Sequence, residues 1–288
     1  MKLSAKPFYR PASSGSPSED GVVINEKAGF FAVCDGVSGP YSPSNPGLQY
    51  EGGITGGQMV SKTICGQFTN ALLGKGVEHV LSLANRMVLE SHLSMHKNPK
   101  EEAVAGACAA ACHVGNGQAL MVLIGDCFVF YKNDKGFHFL TNFDQAAFDF
   151  EEKGNEAFVQ CLQKAGGDKK AAWDLYFPYF SHKQFFRANK NLGAGGHAVL
   201  NGDSALLHCW TAEVTELSGL EWMLLGTDGL LTADSINPKN RKQLEKELGQ
   251  MYSWGGLAAI IAWRDEKDFL PHISGHPEAS AIEIKFKP

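Results

Sequence analysis

Short alternations of apolar and polar residues recur along the chain, and they are typical of β-strands with one buried face. Near the N-terminus, residues 21–25 and 29–36 predict a β-hairpin. Gly-Asn-Gly and Asn-Asp-Lys-Gly turns then separate three strand-like stretches, which predict a three-stranded meander. These stretches cover residues 103–114, 118–132 and 137–141, and further predicted strands lie at 205–214, 221–229 and 279–286.

Apolar residues at helical spacing predict helices elsewhere. Residues 1–20 are polar and rich in Ser, Pro and Gly, and residues 37–57 predict a loop of similar composition. Residues 144–192 are irregular and aromatic with patchy helical spacing, which favours an inserted cap or flap. The predicted helices occupy residues 59–72, 77–96, 238–252 and 256–263.

Strands and helices come in blocks rather than in β-α-β alternation, which predicts an α+β fold with antiparallel sheets and helices packed outside them. The chain has 288 residues, 44% of them hydrophobic, so it can bury a large core. We therefore expect one domain over residues 1–288, with the flap at about residues 145–195.

Composition narrows the function. The net charge is −5 and the basic residues are dispersed among acidic ones, which argues against nucleic-acid binding. The N-terminus lacks the apolar core of a signal peptide, and no uncharged apolar run reaches the roughly 18 residues of a membrane helix. We expect a cytoplasmic monomer that binds neither nucleic acid nor membranes.

The seven cysteines are scattered and form no Cys-x-x-Cys pair, which favours reduced thiols. Cys108 and Cys112 are four residues apart in an alanine-rich strand, where small core residues are a better interpretation than zinc ligands. No cysteine lies in a Cys-x5-Arg arrangement, so a cysteine phosphatase is not expected.

Three apolar strands end in an aspartate: Asp35, Asp126 and Asp228. Any one of them alone is typical of a turn. Three such endings indicate a cation site, because a buried carboxylate is costly unless it is paired with a cation. Gly36 follows Asp35 and lets a backbone carbonyl approach a metal, and oxygen ligands are those that Mg²⁺ or Mn²⁺ prefer. The pair Glu19-Asp20 offers further carboxylates, although an exposed turn pair is nearly as good an interpretation.

The order of these motifs resembles the type 2C (PPM) metal-dependent protein serine/threonine phosphatases over about residues 13–286. The motifs are short, and their order and spacing carry the resemblance. In chain order they are Glu19-Asp20, Phe31-Ala-Val-Cys-Asp35-Gly36, a glycine-rich loop and helix, Gly106, Val122-Leu-Ile-Gly-Asp126-Cys127, Leu140-Thr-Asn-Phe-Asp144 and Leu224-Leu-Gly-Thr-Asp228-Gly229-Leu230.

The resemblance implies two Mn²⁺ or Mg²⁺ ions, with a third accessory ion at Asp126. Asp35 would bridge the two ions, the Gly36 carbonyl would bind one, Asp228 would hold the other, and Glu19 would act through water. It implies a four-layer αββα sandwich and hydrolysis of phosphoserine or phosphothreonine in a phosphorylated protein, by in-line attack of a hydroxide that bridges the ions. The flap falls where the family carries a variable segment near the substrate cleft.

Three positions depart from the family pattern. Val37 stands where many members have a histidine proton donor. Gly15 stands where many have a phosphate-binding arginine, for which Arg10 or Lys6 is the candidate substitute, although a solvated charge is the ordinary interpretation of either. Pro277 stands where the family has a metal-binding aspartate.

For that missing aspartate we expect either Glu278 or a water in its place. His276, Asp265 and Asp268 are the other candidates, although an exposed loop residue is the ordinary interpretation of each.

Three functions stay open on the sequence. The first is an active protein phosphatase. The second is a catalytically impaired member of the fold that binds phosphoproteins as a regulator, which the missing arginine and aspartate favour. The third is a metal-dependent phosphohydrolase of small molecules.

Overall fold

The computed structural model describes residues 2–12, 17–231, 237–266 and 277–287. The helices are α1 (Gly56–Thr69), α2 (Val77–Ser94), α3 (Gln145–Lys164), α4 (Lys169–Arg187) and α5 (Arg241–Asp265). The strands are β1 (Lys2–Arg10), β2 (Gly21–Asn25), β3 (Phe30–Val37), β4 (Gln49–Tyr50), β5 (Ile54–Thr55), β6 (Gly106–Gly115), β7 (Gln118–Ile124), β8 (Phe128–Asn133), β9 (Gly136–Thr141), β10 (Thr211–Glu216), β11 (Trp222–Gly226) and β12 (Ala279–Lys287).

Ten of these strands form two five-stranded sheets in which every pair is antiparallel. Sheet I has the order β10-β7-β6-β3-β2, and sheet II has the order β1-β12-β11-β8-β9. The short strands β4 and β5 pair with each other just before α1. None of the helices in the described part of the chain is long and apolar enough to cross a membrane.

The two sheets pack face to face, and helices cover their outer faces. The inner core joins alternate residues of β3 and β7 to those of β8, β11 and β12, including Phe31, Met121 and Met223. The other face of sheet I packs on α1 and α2, and that of sheet II packs on α5. Each fully buried large side chain in these layers contributes roughly 1.5–3 kcal/mol. The predicted αββα sandwich is confirmed.

The predicted meander is wrong in one respect. β6 and β7 belong to sheet I, whereas β8 and β9 belong to sheet II, so residues 118–132 are two strands in different sheets. The chain crosses between sheets at Gly125, which has a φ of 71° that favours glycine. The period of two runs on through both strands, and therefore the pattern did not reveal the crossing.

The strands differ from the prediction at two other places. Residues 2–10, for which no strand was predicted, form β1 and pair with β12 at the edge of sheet II. In the predicted strand 205–214, the first half is a 3-10 helix (Ser204–His208), because the Asp203 side chain accepts a hydrogen bond from the Ala205 N–H. Strand structure begins only at Thr211.

The segment expected to be irregular contains two long helices, α3 and α4, which pack on each other through a small apolar cluster of their own. Phe158, Ala172 and Tyr176 form the buried centre of that cluster. Asp144 and Asp168 cap the two N-termini by accepting hydrogen bonds from backbone N–H groups. The two helices predicted over residues 238–252 and 256–263 form a single helix, α5, with a kink at Gly256.

Candidate active site

The three strand-terminal aspartates come together at one end of the sandwich. Asp35 lies in β3, Asp126 follows β7, and Asp228 follows β11. Asp35 and Asp228 lie within hydrogen-bonding reach of each other, and Asp35 also feels the charges of Asp20 and Asp126. Because these elements belong to both sheets, the sandwich itself gathers the carboxylates.

Burial and mutual repulsion disfavour the ionised form of these carboxylates. Loss of solvation, followed by repulsion from neighbouring acids, raises the pKa of Asp35 well above its usual range. Burial and the charge of Glu278 raise the pKa of Asp20 to about 8. Burial and the charge of Asp228 also raise the pKa of Asp126, whose Oδ1 atom is buried and accepts no hydrogen bond from the described residues. A divalent cation would relieve both the repulsion and the unsatisfied oxygen.

The donor set fits Mg²⁺ or Mn²⁺, since it consists of carboxylates and the adjacent Gly36 carbonyl. Within residues 2–12, 17–231, 237–266 and 277–287, however, no three Asp, Glu, His or Cys side chains converge tightly enough to form a metal-binding group. Charge interactions nevertheless link Asp20, Asp35, Asp126 and Asp228 across the site.

Glu19 is built into a small cradle of hydroxyls and glycines. The Ser38 and Thr55 hydroxyls donate hydrogen bonds to Glu19 Oε1. A Cβ atom on Gly57 would lie 2.5 Å from Glu19 Oε2, and one on Gly36 would lie 2.7 Å from the Glu19 carbonyl oxygen. Both contacts are too short, so the glycines allow Glu19 to lie directly against the Gly36 backbone.

Thr55 has a second task, because it is also the N-cap of α1. Its hydroxyl accepts from the Gln58 N–H at 3.2 Å, and the Gln58 side chain accepts from the Thr55 N–H at 3.0 Å, which completes a capping box. The start of α1 and the position of Glu19 are thereby tied together. Sequence reasoning missed Ser38 and Thr55, although the pattern Thr-x-x-Gln was a usable signal.

Glu278 lies beside the aspartates, just before β12. Its Oε1 accepts from the Ser18 hydroxyl at 2.5 Å, and its Oε2 accepts from the Glu19 N–H at 2.9 Å. The Thr227 hydroxyl donates to Asp20 Oδ2 at 3.1 Å on the same side of the site. Since Glu278 precedes the strand, strand alternation does not turn it away. Its role as a metal ligand stays a prediction.

Arg264, which sequence reasoning missed, holds two site segments together. It is fully buried, and it donates from Nε to the Gly229 carbonyl at 2.5 Å and from Nη2 to the Pro277 carbonyl at 2.6 Å. A Cβ atom on Gly229 would lie 1.7 Å from the Glu278 carbonyl oxygen. The loop after Asp228 is therefore fixed against the segment that carries Glu278.

Arg10 is placed differently from the expectation. Its Nη1 forms an ion pair with Asp265, which also accepts from Arg264 Nη1 at 3.2 Å. Asp265, one of the candidates to replace the family's metal-binding aspartate, is therefore engaged in ion pairs. Arg10 is not among the residues that line the cavity next to the aspartates. Gly15, Asp268 and His276 lie outside the described residues.

A cavity of about 490 Å³ opens from the aspartates towards the α3–α4 pair. Asp126, Asp228 and Val37 are among its lining residues, and α3 and α4 supply aromatic and charged side chains to its wall. The wall contains the ion-paired group of Glu151, Lys183 and Arg187, with a distance of 2.7 Å from Lys183 Nζ to Glu151 Oε1. A mostly apolar cavity with a few charged groups at its base is typical of a ligand site.

The charges of this wall shift the pKa values of Glu151 and His197. Burial alone would raise the pKa of Glu151, but attraction by Lys183 and Arg187 outweighs it and lowers the pKa to about 2. Burial and the Arg187 charge lower the pKa of His197 to about 4, so this histidine is neutral at pH 7. The wall supplied by α3 and α4 carries two acidic residues, Glu151 and Glu152, and two basic ones, Lys183 and Arg187, so its formal charges balance.

Solved structures of other proteins share this arrangement of two sheets and flanking helices. A bacterial serine phosphatase is similar over 99% of this chain and 99% of its own, with a TM-score of 0.57 and 12% identity. The chain has the type 2C (PPM) phosphatase fold. The sequence matches no protein-family model and, at a significant level, no curated protein.

Other solved PPM-type structures agree over comparable lengths. The serine/threonine phosphatase PstP/Ppp of Mycobacterium tuberculosis is 14% identical, with a TM-score of 0.55 and coverage of 99% of both chains. The catalytic domain of PstP in complex with two manganese ions is 14% identical, with a TM-score of 0.53, and covers 98% of this chain and 97% of its own. At such low identity these similarities define the PPM fold alone.

Proposed function

We propose that this chain is a Mn²⁺- or Mg²⁺-dependent phosphatase that hydrolyses phosphoserine or phosphothreonine in proteins. The observation that carries the proposal is the group of Asp20, Asp35, Asp126 and Asp228, which are linked by charge repulsion and two of which, Asp126 and Asp228, line a cavity. A fold keeps such a costly group where a cation compensates it.

The proposed roles follow from the position of each residue. Asp35 lies between Asp20, Asp126 and Asp228 in the network of charges, which suits a carboxylate shared by two ions. Asp228 would hold the second ion, and Asp126 would serve an accessory one. When bound, such ions supply Lewis-acid activation of water and neutralise charge on the phosphoryl group.

Glu19 would act from its cradle without contacting the ions directly. Burial raises its pKa, although the hydroxyls of Ser38 and Thr55 oppose that shift. A carboxylate held by two hydroxyl donors keeps one oxygen oriented and leaves the other to accept from a water. The Gly36 carbonyl, packed against Glu19, completes the oxygen-rich surface.

The catalytically impaired alternative keeps a specific observation in its favour. Both Glu278 oxygens already accept hydrogen bonds from Ser18 and Glu19, and Pro277 has no side-chain ligand to offer. If water filled the missing place, one ion would have one fewer anionic ligand and a lower affinity.

Turnover of two substrates distinguishes the open functions. With millimolar Mn²⁺, we expect release of phosphate from a phosphothreonine peptide at a higher kcat/KM than from an aryl phosphate. A kcat/KM for the aryl phosphate that equals or exceeds that for the peptide would indicate a small-molecule phosphohydrolase. Binding of the phosphopeptide without any turnover would contradict the proposed activity and support the regulator.

A further inference from the structure

We propose that Arg187, at the end of α4, binds the substrate phosphate in this site, an inference that rests on the proposed phosphatase function. Arg187 lines the same cavity as Asp126 and Asp228 and is only 6% exposed. From the sequence, Arg10 or Lys6 was considered for this role, but Arg10 forms an ion pair with Asp265.

Two of the nitrogen donors of the Arg187 guanidinium have no acceptor among the described residues. Its Nη1 bonds to Glu151 Oε2, but Nε and Nη2 are buried and receive no hydrogen-bond acceptor from the described residues. A buried donor without a partner is costly, and arginine in particular presents parallel N–H groups that match two oxygens of a phosphate. These two donors are adjacent on one edge of the guanidinium, which is the edge required for bidentate binding.

The surroundings hold the side chain in place. Glu151 bonds both Arg187 and Lys183, and the guanidinium packs near the rings of Phe143 and Phe150, at 5.8 and 5.9 Å from their centroids. Such support fixes the direction of the free donors before a ligand binds. The conformational cost of gripping a phosphate is correspondingly small.

The backbone at Arg187 is anchored to the sandwich as well. Its carbonyl accepts from the His197 N–H at 3.1 Å, and the Asn189 side chain bonds to the Val199 backbone through both its oxygen and its nitrogen. Leu200 in turn pairs with Ala107 of β6, beside the strand that carries Asp35. A phosphate-binding group on the inserted helices is thereby held in register with the carboxylates.

The charges are complementary to those of the ligand. Burial and Asp228 raise the pKa of Asp126, whereas the charge of Arg187 lowers it, so the guanidinium and this carboxylate lie within electrostatic reach of each other. A phosphate ester has oxygens for cations at the carboxylates and for a guanidinium at the same time. Arg187 thus supplies the chemistry that the family places near position 15.

The test is calorimetric titration of inorganic phosphate into the manganese-loaded protein. Arg187→Ala should weaken phosphate binding by about tenfold to hundredfold, as expected for hydrogen bonds to a charged group. Arg187→Lys, which keeps the charge that Glu151 requires, should fold normally and recover only part of the affinity. Thermal unfolding of each variant checks that the fold is intact.

Two controls make the result specific. Gln184→Ala alters the same wall of the cavity one helical turn away, and Arg10→Ala removes the competing arginine. Both should leave phosphate affinity within about twofold of the wild type. A twofold or smaller effect of both Arg187 variants, a loss with Arg10→Ala instead, or no phosphate binding by wild type would overturn the proposal.

Failure of this inference can be distinguished from failure of the proposed function. Normal turnover of the phosphopeptide with no effect of the Arg187 variants on phosphate affinity would leave the phosphatase function standing without Arg187. Phosphate binding that depends on Arg187, in a protein without turnover, would overturn the activity and retain the binding site.

Discussion

Asp35 is the residue at which the charge interactions of the site concentrate. Its pKa is raised by burial first and then by Asp20, Asp228 and Asp126. The sequence identified Asp35, Asp126 and Asp228 because each follows an apolar strand. It could not identify Arg187 or Arg264, since a basic residue inside a helical pattern is ordinarily solvated and nothing local marks it as buried.

Replacing Asp35 by asparagine should separate folding from catalysis. The amide keeps the shape but removes a buried charge, so the metal-free variant should unfold at a temperature equal to or above that of the metal-free wild type. Turnover should fall by roughly 10³-fold or more, because the anionic ligand is lost. The measurements are steady-state kinetics at saturating Mn²⁺ and thermal unfolding after chelation.

Asp144→Asn is a suitable control for that experiment, because Asp144 caps α3 and is not a proposed ligand. It should keep turnover within a few-fold of the wild type. Near-normal turnover of the Asp35 variant, with unchanged affinity for Mn²⁺, would remove Asp35 from the site.

At the scale of elements, the loop after β11 and the segment before β12 depend on α5 for their mutual position. Arg264 of α5 bonds to the Gly229 and Pro277 carbonyls. Arg264→Met would leave both carbonyls without these donors, and it should destabilise the fold by about 3 kcal/mol. It should also weaken Mn²⁺ binding, since Asp228 directly precedes Gly229.

A matched control for this arginine lies on the surface of α2. Among the described residues Arg86 pairs only with Glu90, at 4.0 Å on the exposed surface, so Arg86→Met should change stability by less than about 0.5 kcal/mol. Chemical denaturation and manganese titration measure both effects. Equal stability of the two variants would show that Arg264 does not hold the site segments.

The sequence pattern predicted some of the helices and strands but not others. Strands β3, β11 and β12 and helices α1 and α2 follow directly from apolar periodicity. The change of sheet at Gly125 and the edge strand β1 do not, because strand pairing depends on contacts between residues far apart in the chain. The paired helices α3 and α4 were obscured by their many aromatic residues, which face both the cavity and their own small core.

For the whole molecule, the buried acids predict an unusual dependence of stability on pH. The folded pKa of Asp20 is about 8, raised by burial and then by Glu278, while that of an unfolded aspartate is near 3.8. The native state therefore holds more protons than the unfolded state between these values, and its stability must fall as the pH rises through that window.

We accordingly expect the metal-free protein to have a higher unfolding temperature at pH 6.5 than at pH 8. Asp20→Asn should flatten this slope, because the residue no longer titrates. Saturating Mn²⁺ should abolish or reverse the trend, since cations bind the deprotonated carboxylates. Calorimetric scans at several pH values make the comparison, and a rise in stability with pH in the metal-free protein would contradict the predicted charge repulsion.

If metal ions carry the proposed hydrolysis, its rate must depend on them. Phosphate released from a phosphothreonine peptide should be measured for the protein as purified with Mn²⁺, after treatment with excess EDTA, and after Mn²⁺ is restored. We expect turnover that is lost with the chelator and recovered with the metal, and that survives alkylation of the accessible cysteines. Full turnover in excess EDTA would contradict it.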